Sequence, residues 1–396
     1  MASSQGINGL LVAKRETTWG TKASASGARY LRRVTAEMQL EKDTYNSNEI
    51  RPSQQMSDMR HGTRKATGSL NGELSGSAYD EFMAAALRKD FVAGATSGAV
   101  ITIASAAGTF TRSSSSFITD GFKVGSVISV SGFTDAGNNG LFLITAISAT
   151  VLTVSALAGQ TQTTEAEGDS ITIVEAGKKT FVPLTAHTDD SFTIEQWQPD
   201  STISRTFLGM QVDQMNVSVQ PNSMATVDFT FLGKDAETPT SSAYFTSPTA
   251  VGGEGTYSGP DGFLFINGVS SDKVTSLKVS IANNIQQEAV IGSNSIGAKA
   301  RGKLAVTIDG SALFDNDAIL GYFDEETEIS LTYVLMSADN TEAFAIHMPR
   351  VKIGTATVDD GEKVRILSFS GMALEYTAGA TGIEATTIQI QDTTLS

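Results

Sequence analysis

The chain has no cysteine and only three histidines among its 396 residues. Without cysteine it can form no disulfide, no thiolate metal site and no cysteine nucleophile. The histidines, His61, His187 and His347, lie far apart in the sequence, so we expect solvated or packed imidazoles rather than metal ligands. Composition therefore disfavours a metal centre and excludes a cysteine nucleophile.

Recognisable catalytic and ligand-binding motifs are also missing. The sequence contains no G-x-S-x-G elbow, no H-E-x-x-H and no Walker loop. The segment "DNDAILGYFDEE" begins like a calcium loop with Asp315 and Asp317, but Leu320 stands where that loop needs glycine. A helix with an apolar face explains this segment better. We predict no enzymatic activity, no cofactor and no metal site.

Long apolar runs are absent as well. No stretch approaches the ~20 apolar residues that a membrane span needs. The first residues, "MASSQGINGLLVAKRETTWG", do not read as a signal peptide. We therefore expect no membrane insertion, and a chain that stays in a cytoplasm or leaves the cell by lysis.

Charge is scarce and unevenly distributed. Charged residues make up 18% of the chain, and the formal net charge is −15. Residues 1–91 hold 13 Lys and Arg against 10 Asp and Glu, whereas residues 92–396 hold 15 against 33. This acidic body argues against gripping nucleic acid, because phosphate contacts require Lys and Arg. A mildly basic N-terminal part suits self-association, and ordinary solubility explains the same pattern equally well.

Glycine, serine and threonine are abundant, and with alternating apolar residues they favour β structure with many turns. After Val92 charge falls away, and "GFKVGSVISVSGFTDAGNNGLFLITAISATVLTVSA" predicts several short strands joined by glycine or Asn-Gly turns. We predict a small all-β module inserted at 92–180. A stretch rich in Pro, Gly and Ser predicts a linker at 237–262.

With the inserted module set aside, the chain repeats the order strand, polar loop, strand, short helix and strand pair. The repeated elements begin at Val34 and Val274, Ser77 and Ala312, and Met210 and Met348. The predicted apolar helix faces are Phe82, Met83, Ala86 and Leu87 in the first copy and Phe314, Ala318, Ile319, Tyr322 and Phe323 in the second. The fold class is therefore mainly β, with one copy at 1–91 and 181–236 and another at 263–396.

Three stretches carry a resemblance to a known family. They are "LRRVTAEMQLEKDTYNSNEIRPSQQMSDMRHGTRKATGSLNGELSGSAYDEFMAAALRKDF", "GMQVDQMNVSVQPNSMATVDFTFLGKD" and "VTSLKVSIANNIQQEAVIGSN" with the later "MPRVKI". The chain resembles major tail tube proteins of long non-contractile-tailed, siphovirus-type phages, in a form with two tandem tube folds. The inserted module is similar to the small β domains that decorate phage structural proteins, and we expect it on the tube exterior.

The resemblance implies β-sandwich folds, each with one short helix, whose sheets join around a ring with an acidic lumen. Rings of six such folds would then need three chains. Stacking between rings is implied for a long loop at about 46–62 and its counterpart at about 286–300. The expected contact residues are Asn48, Arg51, Gln55, Arg60, His61, Gln287, Ile291 and Asn294.

The implied function is that of a structural subunit whose stacked rings form the conduit for genome ejection. Implied partners are the chain itself, the tape measure protein and phage DNA in the lumen, and the tail tip and tail terminator proteins. The implied location is the virion tail, with the host cytoplasm during assembly. An alternative is a virion decoration protein or adhesin that binds cell-surface glycan through the inserted module.

Overall fold

The chain is mainly β, which confirms the predicted fold class. The computed structural model describes residues 5–97, 102–168, 170–250, 252, 254–315, 318–360, 362–378 and 382–396. Within these ranges, eighteen strands form one hydrogen-bonded network, seven form a separate sheet and two form an isolated hairpin. The same ranges contain two α-helices and two short 3-10 helices, Gly6–Asn8 and Ala136–Asn138.

The elements follow one another in this order. The N-terminal part contains β1 (Leu10–Arg15), β2 (Arg29–Tyr30), β3 (Thr35–Asn46), β4 (Met59–Glu73), α1 (Asp80–Leu87) and β5 (Val92–Ala93). The separate sheet comprises β6 (Ile103–Ala106), β7 (Thr109–Arg112), β8 (Val127–Ser131), β9 (Gly140–Ile147), β10 (Val151–Ala156), β11 (Glu165–Gly168) and β12 (Thr172–Glu175). It is followed by β13 (Lys178–Phe181), β14 (Phe192–Gln198), β15 (Ile203–Val219), β16 (Thr226–Gly233) and β17 (Asp235–Ala236). The C-terminal part contains β18 (Gly262–Ile266), β19 (Val269–Ser271), β20 (Val274–Ala282), β21 (Ile285–Ala289), β22 (Ile296–Arg301), β23 (Ala305–Leu313), α2 (Ala318–Asp324), β24 (Ile329–Met336), β25 (Ala343–Val358), β26 (Ile366–Ala373) and β27 (Gln389–Asp392).

Eight antiparallel strands form a continuous sheet, named here the main sheet, in the order β3-β4-β16-β15-β20-β23-β26-β25. Its two halves join where β15 pairs with β20, with Gln214 opposite Ala282 and Val219 opposite Leu277. The edges are β3 on one side and the C-terminal half of β25 on the other. Within the described residues, each edge pairs on one side only.

Alternation along the strands gives the main sheet two unlike faces. One row of directly opposed residues is Gly72, Val227, Val217, Val279, Ile308, Gly371 and Ile353. The five aliphatic side chains of this row are buried in the core. The neighbouring row is Glu73, Thr226, Ser218, Lys278, Asp309, Ser370 and Thr355, and it belongs to the opposite surface, named here the polar face.

A second layer of strands covers the apolar face. β15 and β25 run through both layers, because their N-terminal halves pair with β14 and with β24 and β27, respectively. Phe82 of α1 packs edge-on against Phe192, Phe229 and Phe231, with ring centroids 4.8, 5.5 and 5.1 Å apart. The main core thus lies between the main sheet and this outer layer.

The two halves correspond strand for strand: β3, β4, α1, β14, β15 and β16 match β20, β23, α2, β24, β25 and β26. The pair Phe192 opposite Met210 in the first half matches Ile329 opposite Val351 in the second. Met210 therefore corresponds to Val351, and the predicted match with Met348 is wrong. Two shared methionines suggested that register, but strand pairing is set by the ladder and its bulges.

The opening strands align as the repeat predicted. Ala36 and Leu277 occupy the same ladder position, and so do Gly72 and Ala312. Val274 lies opposite Ala312, because the ladder shifts between Val274 and Ser276 and adds one residue to β20. Continued by one residue beyond Thr35 opposite Asn71, the ladder of the first half brings Val34 opposite Gly72, so Val34 corresponds to Val274 and the extra residue is Thr275.

Both helices are shorter than predicted. α1 begins at Asp80 rather than near Ser77, and its predicted face is buried together with Ala84 and Ala85. The second helix does not begin at Ala312, because Ala312 continues β23 opposite Val274. In α2, Ile319 and Tyr322 pack against the core with Phe314, whereas Ala318 and Phe323 are exposed. Leu320 lies inside this helix, and Asp317 lies outside the described residues.

The seven-stranded sheet, in the order β11-β6-β7-β10-β9-β8-β12, has a core of its own that includes Phe110, Phe117, Phe122 and Phe142. The chain enters and leaves it at one place, since Val92 of β5 lies opposite Lys179 of β13. This unit, named here the inserted module, packs on the outer layer of the second half. The contact is apolar and contains Val127, Leu141, Leu143, Leu157, Phe265, Val334, Met336, Ala343 and Ala345.

The stretch predicted as a linker lies along the first half. Thr246 and Thr249 form parallel bridges with Ser26 and Arg29. Phe245 and Tyr257 are buried. The carboxylate of Glu195, itself buried, accepts hydrogen bonds from the backbone N–H groups of Tyr244 at 2.6 Å and Phe245 at 3.0 Å. This stretch therefore covers the outer layer of the first half, as the inserted module covers that of the second.

Candidate assembly surfaces

The first surface is the end of the β3–β4 hairpin. The ladder continues to Asn46 opposite Met59, so the unpaired loop is 47–58 and the predicted loop of 46–62 is too long. Alternation is lost there because both faces of the hairpin end are in solvent, which removes the apolar signal of a strand. Asn48, Arg51 and Gln55 lie in the loop, and Arg60 and His61 lie on β4.

Charges in this loop are paired within it. Arg51 contacts Glu49 at 2.6 Å, and Arg60 contacts Asp58 at 3.3 Å. These exposed pairs leave little free positive charge for a partner. The same end exposes large apolar side chains, of which Ile50 is 99% and Met56 68% exposed. The residues predicted from the sequence at this end are all polar, and Ile50 and Met56 were missed, although an apolar residue in a polar loop is a recognisable signal.

The second surface is the hairpin β21–β22, which replaces the predicted structureless loop. Gln287 lies on β21, and Ile291 and Asn294 lie in its turn. Ile291 is fully exposed. Gln287 and Asn294 are engaged within the chain, since the Gln287 side chain donates to the Gly233 carbonyl and the Asn294 carbonyl accepts from the Arg64 N–H.

The two hairpins lie side by side. Arg64 of β4 forms a parallel bridge with Ser295 and an ion pair with Asp235 at 2.8 Å. A groove of about 420 Å³ separates the hairpins and is lined partly by Asp43, Lys65 and Gln286. The structure thus brings Asn294 and Arg64 together, while the tip residues Arg51 and Ile291 remain exposed.

A cluster that the sequence reasoning missed holds the base of the second hairpin. Asp189 contacts Lys299 at 2.9 Å and Arg301 at 3.3 Å, and it accepts a hydrogen bond from Gln211. Burial acts to raise the pKa of Asp189, but the hydrogen bonds from Lys299 and Gln211 and the charge of Arg301 outweigh it, so the pKa is lowered. Asp189, Gln211 and the pair Lys299 and Arg301 come from three separate segments of the sequence, so spacing gave no signal.

The third surface is the pair of open edges of the main sheet, β3 and the C-terminal half of β25. Each presents backbone N–H and C=O groups that can pair with another strand. The junction between β15 and β20 is a pairing of the same kind inside the chain, since β15 corresponds to β25 and β20 corresponds to β3. The chain therefore carries one completed junction and the two halves of another.

The polar face is the fourth surface, and it is rich in hydroxyl and amide groups. Its acidic residues include Glu37, Glu41, Glu73, Asp228 and Asp309, and its basic residues include Lys65 and Lys278. Lys65 pairs with Glu41 at 3.3 Å. The face is thus mildly acidic, and most of the net charge of −15 lies elsewhere on the molecule.

Other kinds of site find little support. Among the residues the structure describes, no group of three or more His, Cys, Asp or Glu could hold a metal ion. Neither α-helix in those ranges has the length and apolar character needed to cross a bilayer. His61 is exposed on β4, and His347 is buried beside Thr332.

Comparison with known proteins gave one family match. The model of a family described as phage tail tube protein matches residues 6–373. No curated protein matches the chain. A match of this extent in a β-rich chain indicates a structural component of the virion tail that assembles with itself into a tube. The chain belongs to the phage tail tube protein family.

Proposed function

We propose that the chain is the tube subunit of a long non-contractile phage tail, built from two tandem tube folds. The first fold comprises 1–91 and 181–236, the second 263–396, with 92–180 as the inserted module and 237–262 as the connection. Three chains form a ring, rings stack into a tube, and the genome leaves through its lumen. The observation that carries this proposal is the main sheet, whose two open edges match the two sides of its internal junction.

Ring closure follows from the cost of an open edge. An unpaired edge strand is a site for pairing with another chain, and a closed barrel has no such edge. The β3 edge of one chain is suited to the β25 edge of the next, because their counterparts β20 and β15 already pair. With six half-sheets in a ring, three chains give a closed barrel of about 24 strands.

The polar face is the proposed lumen wall. It lies opposite the core and the outer layer, so closing the sheet with the outer layer outside leaves this face lining the channel. The polar face presents hydroxyl and amide groups with a slight excess of acidic residues, and it has no basic cluster that would retain phosphate. Like charge repels the DNA duplex within a Debye length of ~8–10 Å. DNA and the tape measure protein are the proposed occupants of the lumen.

Stacking between rings is assigned to the two hairpin ends. Ile50, Met56 and Ile291 are exposed apolar side chains at these ends, and burying them against the next ring removes apolar surface from water. The end of the β3–β4 hairpin also holds the predicted contact residues Asn48, Arg51, Gln55, Arg60 and His61. Tail tip and tail terminator proteins would meet the same surfaces at the two ends of the tube.

The test is negative-stain electron microscopy of the purified full chain. We expect hollow tubes of uniform diameter that lengthen with protein concentration. Scattered particles or single spikes at all concentrations would contradict a tube subunit and would favour a decoration protein. A matched preparation with Val217→Asp, which places a charge in the core at the internal junction, should give no tubes.

A further inference from the structure

The internal junction is completed by one residue that seals the end of α1. Asn283 follows β20, and its side chain is buried. Its backbone N–H donates to the Asp213 carbonyl at 2.7 Å, and its side-chain amide donates to the carbonyls of Ala86 and Val212. Arg88, directly after α1, donates to the Asn283 side-chain oxygen at 2.7 Å. Asn283, at the end of β20, thus fills the space between α1 and the bulge of β15.

The second half has an equivalent space between α2 and the bulge of β25. Within the described residues, no counterpart of Asn283 fills it. The ladder shifts at Asp213 in β15 and at Gly354 in β25, so these two bulge residues correspond. Arg88 and Glu326 also correspond, because each follows its helix with a left-handed φ, 62° and 54°. A groove of about 970 Å³ runs along the β25 edge here, lined partly by Phe323, Glu326 and Gly354.

The helices reflect this difference. Six residues of α1 are buried, whereas none of the residues of α2 is. Phe323 of α2 is 37% exposed at the groove. The groove that is open in the second half therefore corresponds in position to the space that Asn283 fills in the first half.

We propose that the β3 strand of a second copy of this chain fills the groove, with its residues 42–44 seated beside Gly354 and Lys42 opposite Glu326. This proposal rests on the proposed tube function and specifies its junction between chains. Lys42 is the counterpart of Asn283, because Ala36 is the counterpart of Leu277 and the ladder runs without a shift from there. The contact of the charged Arg88 guanidinium with the neutral Asn283 amide is thereby replaced by a contact between opposite charges, in which Glu326 also pairs with Lys352 of its own chain at 2.7 Å.

The same correspondence fixes the register of the strands. Inside the chain, Asn216 lies opposite Ser280. Their counterparts are Thr357 and Gln39, so these two residues are opposite each other across the junction between chains. Both are exposed and lie at open edges. A second copy of β3 is the expected occupant of the groove, because the chain contains a completed copy of the same junction between β15 and β20.

Charge reversal tests the contact between Lys42 and Glu326. We expect Lys42→Glu and Glu326→Lys each to raise the concentration for half-maximal assembly about tenfold, and the double variant to return it to within about threefold of wild type. Circular dichroism checks that each variant is folded. The matched control is Glu328→Lys, which disrupts a neighbouring exposed pair with Arg350, 2.6 Å apart. Lys42→Glu should not restore assembly of the Glu328→Lys variant. Equal restoration of the Glu326→Lys and Glu328→Lys variants would overturn the pairing of Lys42 with Glu326.

Cysteine cross-linking tests the register, and the chain offers a clean background because it has no cysteine. Gln39→Cys with Thr357→Cys should give covalent oligomers on oxidation. Glu37→Cys with Thr357→Cys keeps the same strand face but is two residues out of register, beyond the ~4.4–6.8 Å Cα separation of a disulfide. It should remain monomeric on a denaturing gel.

The outcomes separate the two proposals. Tubes from wild type without cross-linking of the first pair would overturn this junction and leave the tube function standing. A wild-type chain that stays monomeric at all concentrations would overturn the tube function itself. Cross-linking of the second pair rather than the first would replace the register.

Discussion

His347 lies where the inserted module meets the outer layer, and its burial links stability to pH. Its Nδ1 is 2.8 Å from Thr332 Oγ1, and its ring lies against the backbone of Gly125. Its neighbours Thr332 and Gln389 are uncharged. Burial lowers the pKa of His347 from 6.5 to about 4. Above about pH 6.5 the ring is neutral in both the folded and the unfolded chain. As the pH falls towards 4, the unfolded chain takes up a proton that the folded chain does not, so the free energy of unfolding decreases.

The His347→Gln variant isolates this effect. A depression of this size corresponds to about 3 kcal/mol, so the free energy of unfolding of wild type minus that of the variant should fall by up to that amount between pH 7 and pH 4. Urea denaturation across this pH range measures it, and the carboxylates common to both proteins cancel. Parallel stability curves would show that the ring is not buried in its neutral form.

Gly125 offers a second residue-level test, with Gly121 as its matched control. Both have a positive φ, 81° and 99°. A Cβ at Gly125 would lie 2.1 Å from the His347 ring, whereas one at Gly121 would meet nothing closer than 3.8 Å. Gly121→Ala should cost about 1–2 kcal/mol for the backbone alone, and Gly125→Ala roughly 1–3 kcal/mol more for the clash. Equal melting temperatures for the two variants would contradict the docked position of the module.

At the scale of elements, the hairpin ends carry the prediction about stacking. Ile50→Ser with Ile291→Ser should abolish long tubes but leave the melting temperature and single rings unchanged, because both side chains are exposed in the single chain. Val269→Ser is the control, since Val269 is also exposed, at 70%, but follows Gly268, where an added Cβ would lie 3.3 Å from Thr145 of the inserted module. Long tubes from the double variant would remove these ends from the stacking surface.

Elements were predictable where a face is buried and unpredictable where none is. The alternation of Val227, Phe229 and Phe231 identified β16 correctly, because that strand lies on the core. The strands β21 and β22 showed no period, since most of their side chains are in solvent. The predicted match of Met210 with Met348 failed, because the bulges at Asp213 and Gly354, which fix the alignment of the two halves, leave little trace in a sequence rich in Gly, Ser and Thr.

At the scale of the molecule, the mainly β class was available from composition, but the placement of the inserted module was not. It interrupts the first half in sequence and yet packs on the outer layer of the second. The contacts that hold it, such as Gln391 with the carbonyls of Val127 and Ala176 at 2.8 and 2.7 Å, join residues more than 200 positions apart. No local pattern encodes such a contact, so only the fold reveals it.

The position of the inserted module allows the chains in a ring to be counted. It lies on the side of the outer layer away from the polar face, so it should appear as a separate density outside the tube wall, once per chain. A helical reconstruction of assembled tubes by electron cryomicroscopy tests this arrangement. We expect three outer densities per ring around a closed barrel of about 24 strands, with true three-fold and only approximate six-fold symmetry. Six equivalent outer densities per ring, or a wall in which β3 and β25 of neighbouring chains do not pair, would contradict it.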